Sequence, residues 1–195
     1  MSKNLIFLDV NGVLNTIETQ NNVPFKDKSY NQFKGVEDKF LKNLKSILLN
    51  TKDASIILSS SYWRKQNYSN SNCLYDYLVN RLLEFDIKID GQTKYIYTFH
   101  RGVEIIEYLS SHEYDSYIIL DDEIFDFKLC GISDRLVKTD FYGENAGLTN
   151  KKANAACDLF NKQLSKIIDK KYYEEIDKIK GDFINKGFKH NGLIL

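Results

Sequence analysis

Apolar positions along the chain follow two alternating patterns. Leu5–Val10 is a continuous apolar run of strand length, of the kind that suits a strand covered on both faces. Val36, Phe40, Leu44, Ile47 and Leu48 recur at helical spacing and predict a helix over Val36–Leu49. Ala54–Ser61, "ASIILSSS", predicts a second strand that ends in serines, and Leu74, Leu78, Leu82 and Phe85 predict a helix after it. Ile87–Ile89 and Tyr95–Phe99 predict short strands around a turn at Asp90-Gly91. Gly102–Leu109 reads as a helix, Ser116–Glu123 as a third buried strand and Asp134–Asp140 as a fourth. Between the first strand and the first helix, the polar stretch Asn15–Lys34 with Pro24 reads as an extended flap or loop. From Asn150 onward the pattern is helical, with an interruption expected near Asp169–Lys171 and an apolar face of Ile176, Ile179 and Phe183 on the last segment. The tail "HNGLIL" is expected to be loose or to dock.

Strands alternating with helices imply βαβ units: an α/β fold with a mostly parallel sheet and helices on both faces. In such sheets ligands bind beyond the carboxyl ends of the strands. Polar clusters sit at those ends here: Asp9 closes the first strand, Ser59–Ser61 the second, and Asp121 and Asp122 the third.

Composition narrows the picture without redirecting it. A chain of 195 residues is long enough to bury a real core in one domain. Lysine plus arginine equals aspartate plus glutamate at 27 each, so no global charge draws the chain to nucleic acid or to an anionic membrane. No apolar run approaches the about 20 residues that cross a bilayer, and the short apolar start cut by Asp9 is not expected to be a signal peptide. Cys73, Cys130 and Cys157 form no CxxC pair, so neither a zinc site nor a disulfide framework is signalled, and a cytoplasmic location is expected.

The strand-end residues carry the candidate chemistry. Carboxylates of Asp9, Asp121 and Asp122 on neighbouring strand ends would repel one another unless a cation sits among them, and oxygen ligands without histidine or thiolate suit Mg2+. The hydroxyls of "LSSSYWRK" precede a predicted helix, a setting that binds phosphate oxygens, with Arg64 as a further contact. Each has a plainer reading: Asp9 as a turn cap before Gly12, a serine as a helix cap, Trp63 as a packing residue, Arg101 as a surface arginine and His100 as an ordinary loop histidine.

Together "FLDVNGVLN", "IILSSSYWR", "FHRGVEII", "YIILDDE" and "LVKTDFYGENAGLT" resemble the haloacid dehalogenase (HAD) superfamily, and most of all the small HAD domains of RNA-repair-associated (Swiss Army Knife) proteins. The resemblance spans roughly Leu5 to Thr149. It implies a Rossmann-like, three-layer αβα sandwich and Mg2+-dependent phosphoryl transfer. Asp9 matches the nucleophile that forms an aspartyl-phosphate. Ser59 matches the phosphate-binding serine or threonine, with Ser60 beside it, and Arg101 matches a basic position that is usually lysine. Asp121 and Asp122 match the metal-binding acids, and the backbone carbonyl of Asn11 is expected to join them. The departure is Asn11 itself, where HAD phosphatases carry an aspartate that protonates the leaving group and then activates water. Losing such general acid–base help costs about 10²–10⁴-fold in rate.

The spacing of the motifs leaves room for a small cap or none. The chain is therefore expected to be one HAD-like domain over 1–195, with a motif-bearing core of about 4–164 and a helical extension over 165–195. The expected function is hydrolysis of a phosphomonoester, such as a nucleotide or a nucleic-acid end. The alternatives are a HAD-fold module that binds phosphate or a partner with little turnover, and a PIN-like Mg2+ nuclease.

Overall fold

The computed structural model describes residues 3–22, 35–65, 73–96 and 100–185. Five strands, β1 (Asn4–Leu8), β2 (Ala54–Leu58), β3 (Ile89–Gln92), β4 (Ser116–Asp121) and β5 (Leu136–Lys138), form one sheet in the order β3-β2-β1-β4-β5. Every pairing is parallel. Central β1 is buried along its whole length, which explains why its sequence shows no polar alternation.

Pleating divides β1 between two cores. Ile6 and Leu8 face one cluster, and Leu5 and Phe7 face the other. The first cluster is closed by helix α2 (Asp38–Asn50) through Phe40, Leu41, Leu44 and Ile47. It also takes in Leu78 and Leu82 of α3 (Cys73–Leu83), and Ala153, Ala156 and Phe160 at the start of α5 (Asn150–Asn185). The second cluster is closed by α4 (Arg101–Ser110) through Ile105 and Leu109, with Phe127 and Ile132. This is the parallel sheet with helices on both faces that the pattern predicts, and the three-layer, Rossmann-like sandwich that the resemblance implies. A short helix, α1 (Ile17–Asn22), lies within the stretch read as a flap, and residues 23–34 are outside the described set.

Three local readings need correction. Asp90 and Gly91 do not form a turn: they lie inside β3, where the Asp90 carboxylate accepts the Ile56 backbone N–H (2.8 Å) beside a register shift between Ile56 and Ile57. Gly91 is required by close approach, because a Cβ there would sit 2.9 Å from the Tyr108 hydroxyl. Nor is the C-terminal region interrupted near Asp169–Lys171, since α5 runs unbroken from Asn150 to Asn185. The polar run there contains neither proline nor glycine, and polarity alone does not break a helix. The predicted fourth strand is shorter than expected, because Ser133–Arg135 forms a 3-10 turn before β5. Of the expected strand Tyr95–Phe99, residues 97–99 lie outside the described residues, as do the tail and the side chains of Ile176, Ile179 and Phe183.

By its internal contacts the chain divides into Met1–Phe160, which holds the sheet, and Asn161–Leu195, whose described part is the rest of α5. No helix among the described residues is long and apolar enough to cross a membrane.

Candidate active site

Sheet topology fixes where chemistry can occur. The chain moves outward from β1 to β2 and β3, then returns to place β4 and β5 on the other side. The crevice at such a reversal, beyond the carboxyl ends of β1 and β4, is where open α/β sheets bind ligands. Leu8 pairs with Leu58 and with Leu120, so one step further along the strands Asp9 falls between Ser59 and Asp121. The ladder continues through this row: the N–H of Asp9 donates to Leu120 O (2.9 Å), and that of Ser59 to Leu8 O (2.8 Å). Backbone hydrogen bonds therefore aim the Asp9 side chain.

Asp9, Asp121 and Asp122 each offer a carboxylate oxygen, and these oxygens lie within 4.8 Å of one another. Burial, and then the nearby charge of Asp9, push the Asp122 carboxyl up to about 7 and drive that of Asp121 well above the usual carboxylate range. Three carboxyls so placed lack cationic charge. Arg101 supplies part of it, with Nη1 3.2 Å from Asp9 Oδ1 and 3.4 Å from Asp121 Oδ2. A hard divalent cation would supply the rest, and the all-oxygen donor set fits one.

Arg101 is held by its helix and by the loop after β4. The Asp126 carboxylate accepts the backbone N–H groups of Gly102 (2.6 Å) and Val103 (3.3 Å), capping the first turn of α4. A Cβ at Gly102 would lie 2.8 Å from both Asp126 Oδ1 and Cys130 Sγ, so the small residue permits this docking. The guanidinium also donates to Ser61 Oγ (3.1 Å) and stacks over Phe125.

The loop after β1 turns sharply. Val10 O accepts from Val13 N and Leu14 N, and Gly12 adopts a φ of +68°. A Cβ on Gly12 would lie 2.3 Å from Asp122 Cγ, so the loop and the second acid of β4 fit only because that Cβ is missing. Asn11 beside it accepts the Trp63 indole N–H (3.1 Å) and the Asn15 amide (3.2 Å) on its Oδ1. Trp63 is fully buried, as a packing residue should be, but it also has this polar task.

Ser59 is fully buried, and its Oγ has no hydrogen-bond partner among the described residues. An orphaned hydroxyl beside Asp9 suits a phosphoryl oxygen as its partner. Ser60 is buried next to it. The hydroxyls of Thr93 and Thr139, each one residue beyond β3 and β5, are likewise buried without partners, and sequence reading passed over both. Arg64 is not simply presented to the crevice: Nη2 meets Glu104 Oε2 at 2.5 Å and Ser59 O at 3.2 Å, while Nε and Nη1 have no hydrogen-bond partner among the described residues. Burial lowers its pKa from the ordinary value. Glu104, also overlooked, lies 3.9 Å from Arg101 Nε as well and so counters two arginines. A cleft of about 550 Å3 beside β5 and the start of α5 includes none of the three acids and is not the site.

No curated protein and no solved structure matches the chain. The profile of one family, described as the HAD domain in Swiss Army Knife RNA repair proteins, matches residues 5–153. That span runs from β1 through the strand-end residues to the first turn of α5, and the chain belongs to this HAD family.

Proposed function

We propose that the protein is a Mg2+-dependent phosphohydrolase whose nucleophile is Asp9. The observation that carries this reading is the meeting of Asp9, Arg101, Asp121 and Asp122 at the β1/β4 crevice, with the unpartnered Ser59 hydroxyl on the other side of Asp9. A bound Mg2+ would be held by the three carboxylates and the Asn11 backbone carbonyl. It would supply the charge neutralisation that lets an anionic phosphoryl group approach an anionic nucleophile. Asp9 attacks phosphorus and takes the phosphoryl group as an aspartyl-phosphate, which water then hydrolyses. Arg101 holds the Asp9 carboxylate in place and offers its guanidinium to the phosphoryl oxygens. Ser59 Oγ donates to one of those oxygens, with Ser60 and the unpartnered N–H groups of Arg64 at hand for the rest.

The substrate is a phosphorylated nucleotide or a nucleic-acid end. Exposed Tyr142, a few residues beyond β5, offers a face for a base, and the family occurs in RNA repair proteins. Mg2+ and p-nitrophenyl phosphate test the activity: the protein should release nitrophenolate, Asp9→Asn should abolish the release, and Arg101→Ala should reduce it. Equal release by Asp9→Asn would overturn the assignment.

One observation favours a second reading, a phosphate-binding module with little turnover. The acid/base position is occupied by an amide whose oxygen is already engaged by Trp63 and Asn15. Mg2+-dependent binding of inorganic phosphate without release of nitrophenolate would establish it. The PIN-like nuclease is set aside by the family match.

A further inference from the structure

The orientation of Asn11 limits what this site can accept. An indole N–H only donates, so the atom 3.1 Å from Trp63 Nε1 must be the amide oxygen. Asn15 is fixed in turn, because its Oδ1 accepts the Gly12 N–H (3.2 Å) and its NH2 therefore faces Asn11 Oδ1 and Gly35 O. Two donors thus fill the acceptor capacity of Asn11 Oδ1. Trp63 and Asn15 are both fully buried, so the frame cannot swing without opening the core. The Asn11 NH2 has no hydrogen-bond partner among the described residues, and Asn11 is partly exposed between buried Val10 and Gly12.

An amide held this way can donate a hydrogen bond to a departing oxygen but cannot give it a proton. Nor can its oxygen take a proton from attacking water. Glu104, the buried carboxylate near the site that lies outside the cluster of Asp9, Asp121 and Asp122, is engaged by Arg64 and Arg101. We infer that the site takes phosphoryl donors whose leaving group departs as a stable anion (phosphoanhydrides, acyl phosphates and acidic aryl phosphates) and that the phosphoryl group then dwells on Asp9. The inference rests on the phosphohydrolase reading and narrows its substrate class: nucleotides and nucleic-acid ends that carry a phosphoanhydride qualify, and simple alkyl monoester ends do not. In the first step a bond forms between Asp9 Oδ and phosphorus. The bond to the leaving oxygen breaks, and that oxygen keeps the electron pair and needs no proton from the site. In the second step water attacks phosphorus, the aspartyl oxygen leaves as carboxylate, and the water's protons go to solvent without a base, which makes this the slow step.

The full chain with Mg2+ should give an initial burst on the order of one nitrophenolate per chain from p-nitrophenyl phosphate, then slow release. Intact mass after exposure to acetyl phosphate should show a single added phosphoryl group, absent in Asp9→Asn. Neither readout needs a variant at position 11. Asn11→Asp, in which one oxygen keeps the Trp63 and Asn15 contacts while the other replaces the NH2, should abolish the burst. It should also raise turnover of an alkyl ester such as glycerol phosphate by about 100- to 10,000-fold, far more than for p-nitrophenyl phosphate. The inference is overturned if the unmodified protein and Asn11→Asp discriminate equally between the two esters, or if Asp9-dependent turnover proceeds with neither burst nor adduct. A substitute acid, such as His100, would show itself by the first of these outcomes. Absence of any Mg2+- and Asp9-dependent release by both the unmodified protein and Asn11→Asp would instead sink the phosphohydrolase reading, and this inference with it.

Discussion

Asp122→Asn should make the metal-free protein more stable while weakening its hold on a divalent cation. Burial and the charge of Asp9 hold the Asp122 carboxyl at about 7 in the fold, against an ordinary value of 3.8. The difference corresponds to a ceiling of about 4 kcal/mol between the protonated and ionised forms. Asp122 is partly exposed, and screening reduces the figure to about 2 kcal/mol. The folded value lies above the unfolded one, so the fold favours the protonated acid. Its contribution is fully present below about pH 4 and is lost as pH rises to about 7. At pH 8 the whole cost is felt, and an asparagine of the same shape removes it. Urea denaturation at pH 8 in a chelator is the assay. With slopes of about 1–3 kcal/mol per molar urea, the variant's midpoint should rise by roughly 1 M. The gap should close as pH falls towards 4, where Asp122 is protonated in the fold and partly protonated in the unfolded chain. Mg2+ at about 100 times its dissociation constant should add about 2.7 kcal/mol to the unmodified protein and clearly less to the variant. A variant no more stable than its parent at pH 8, or a gap that widens in acid, would refute the reasoning.

Two further substitutions probe the same neighbourhood. Gly12→Ala should lower stability by at least the about 1–2 kcal/mol cost of a left-handed residue, because φ is +68°, and should also displace Asp122 from the Cβ 2.3 Å away. The loss of Mg2+-induced stabilisation, read by thermal melts with and without the cation, should match that of Asp122→Asn, while the metal-free stabilities move in opposite directions. Glu104→Ala leaves the buried guanidinium of Arg64 without its counter-charge and should cost about 3–5 kcal/mol in urea denaturation, with Glu104→Gln between it and the parent. A cost below about 1 kcal/mol would mean that Arg64 finds solvent or another acid.

The fold was legible because its strands are short and apolar and its helices amphipathic, so periodicity separates them. Asp9, Ser59, Asp121 and Asp122 were legible for a related reason: each sits at or just beyond the end of such a run, and a parallel sheet gathers those ends. Arg101 was found by its place at the start of a helix, one element before β4. Asp90-Gly91 was misread because a turn dipeptide and a strand glycine under a tyrosine look the same in one dimension. Glu104 was missed because a glutamate in an amphipathic helix reads as solvent-facing, and only the packing of α4 beside Arg64 buries it. Thr93 and Thr139 gave no signal at all, since nothing local marks a threonine whose hydroxyl will be left without a partner.

Asn11 marks the boundary between the two kinds of knowledge. Its identity, an amide where the resemblance to HAD phosphatases implies an acid, is a fact of sequence and, on the proposed function, predicts slow proton transfer. Which end of the amide faces the ligand is not a fact of sequence. It depends on an indole 52 positions away, delivered by the strand that follows the first crossover, and on Asn15, itself turned by the Gly12 N–H. Both partners are pure donors at the contact, so they would hold an aspartate oxygen as well as the amide oxygen. The frame is therefore not built against a carboxylate. The same hydrogen bonds that suit an acid here fix the amide with its hydrogens outward, which makes the single change at position 11 a test of chemistry with little disturbance of structure.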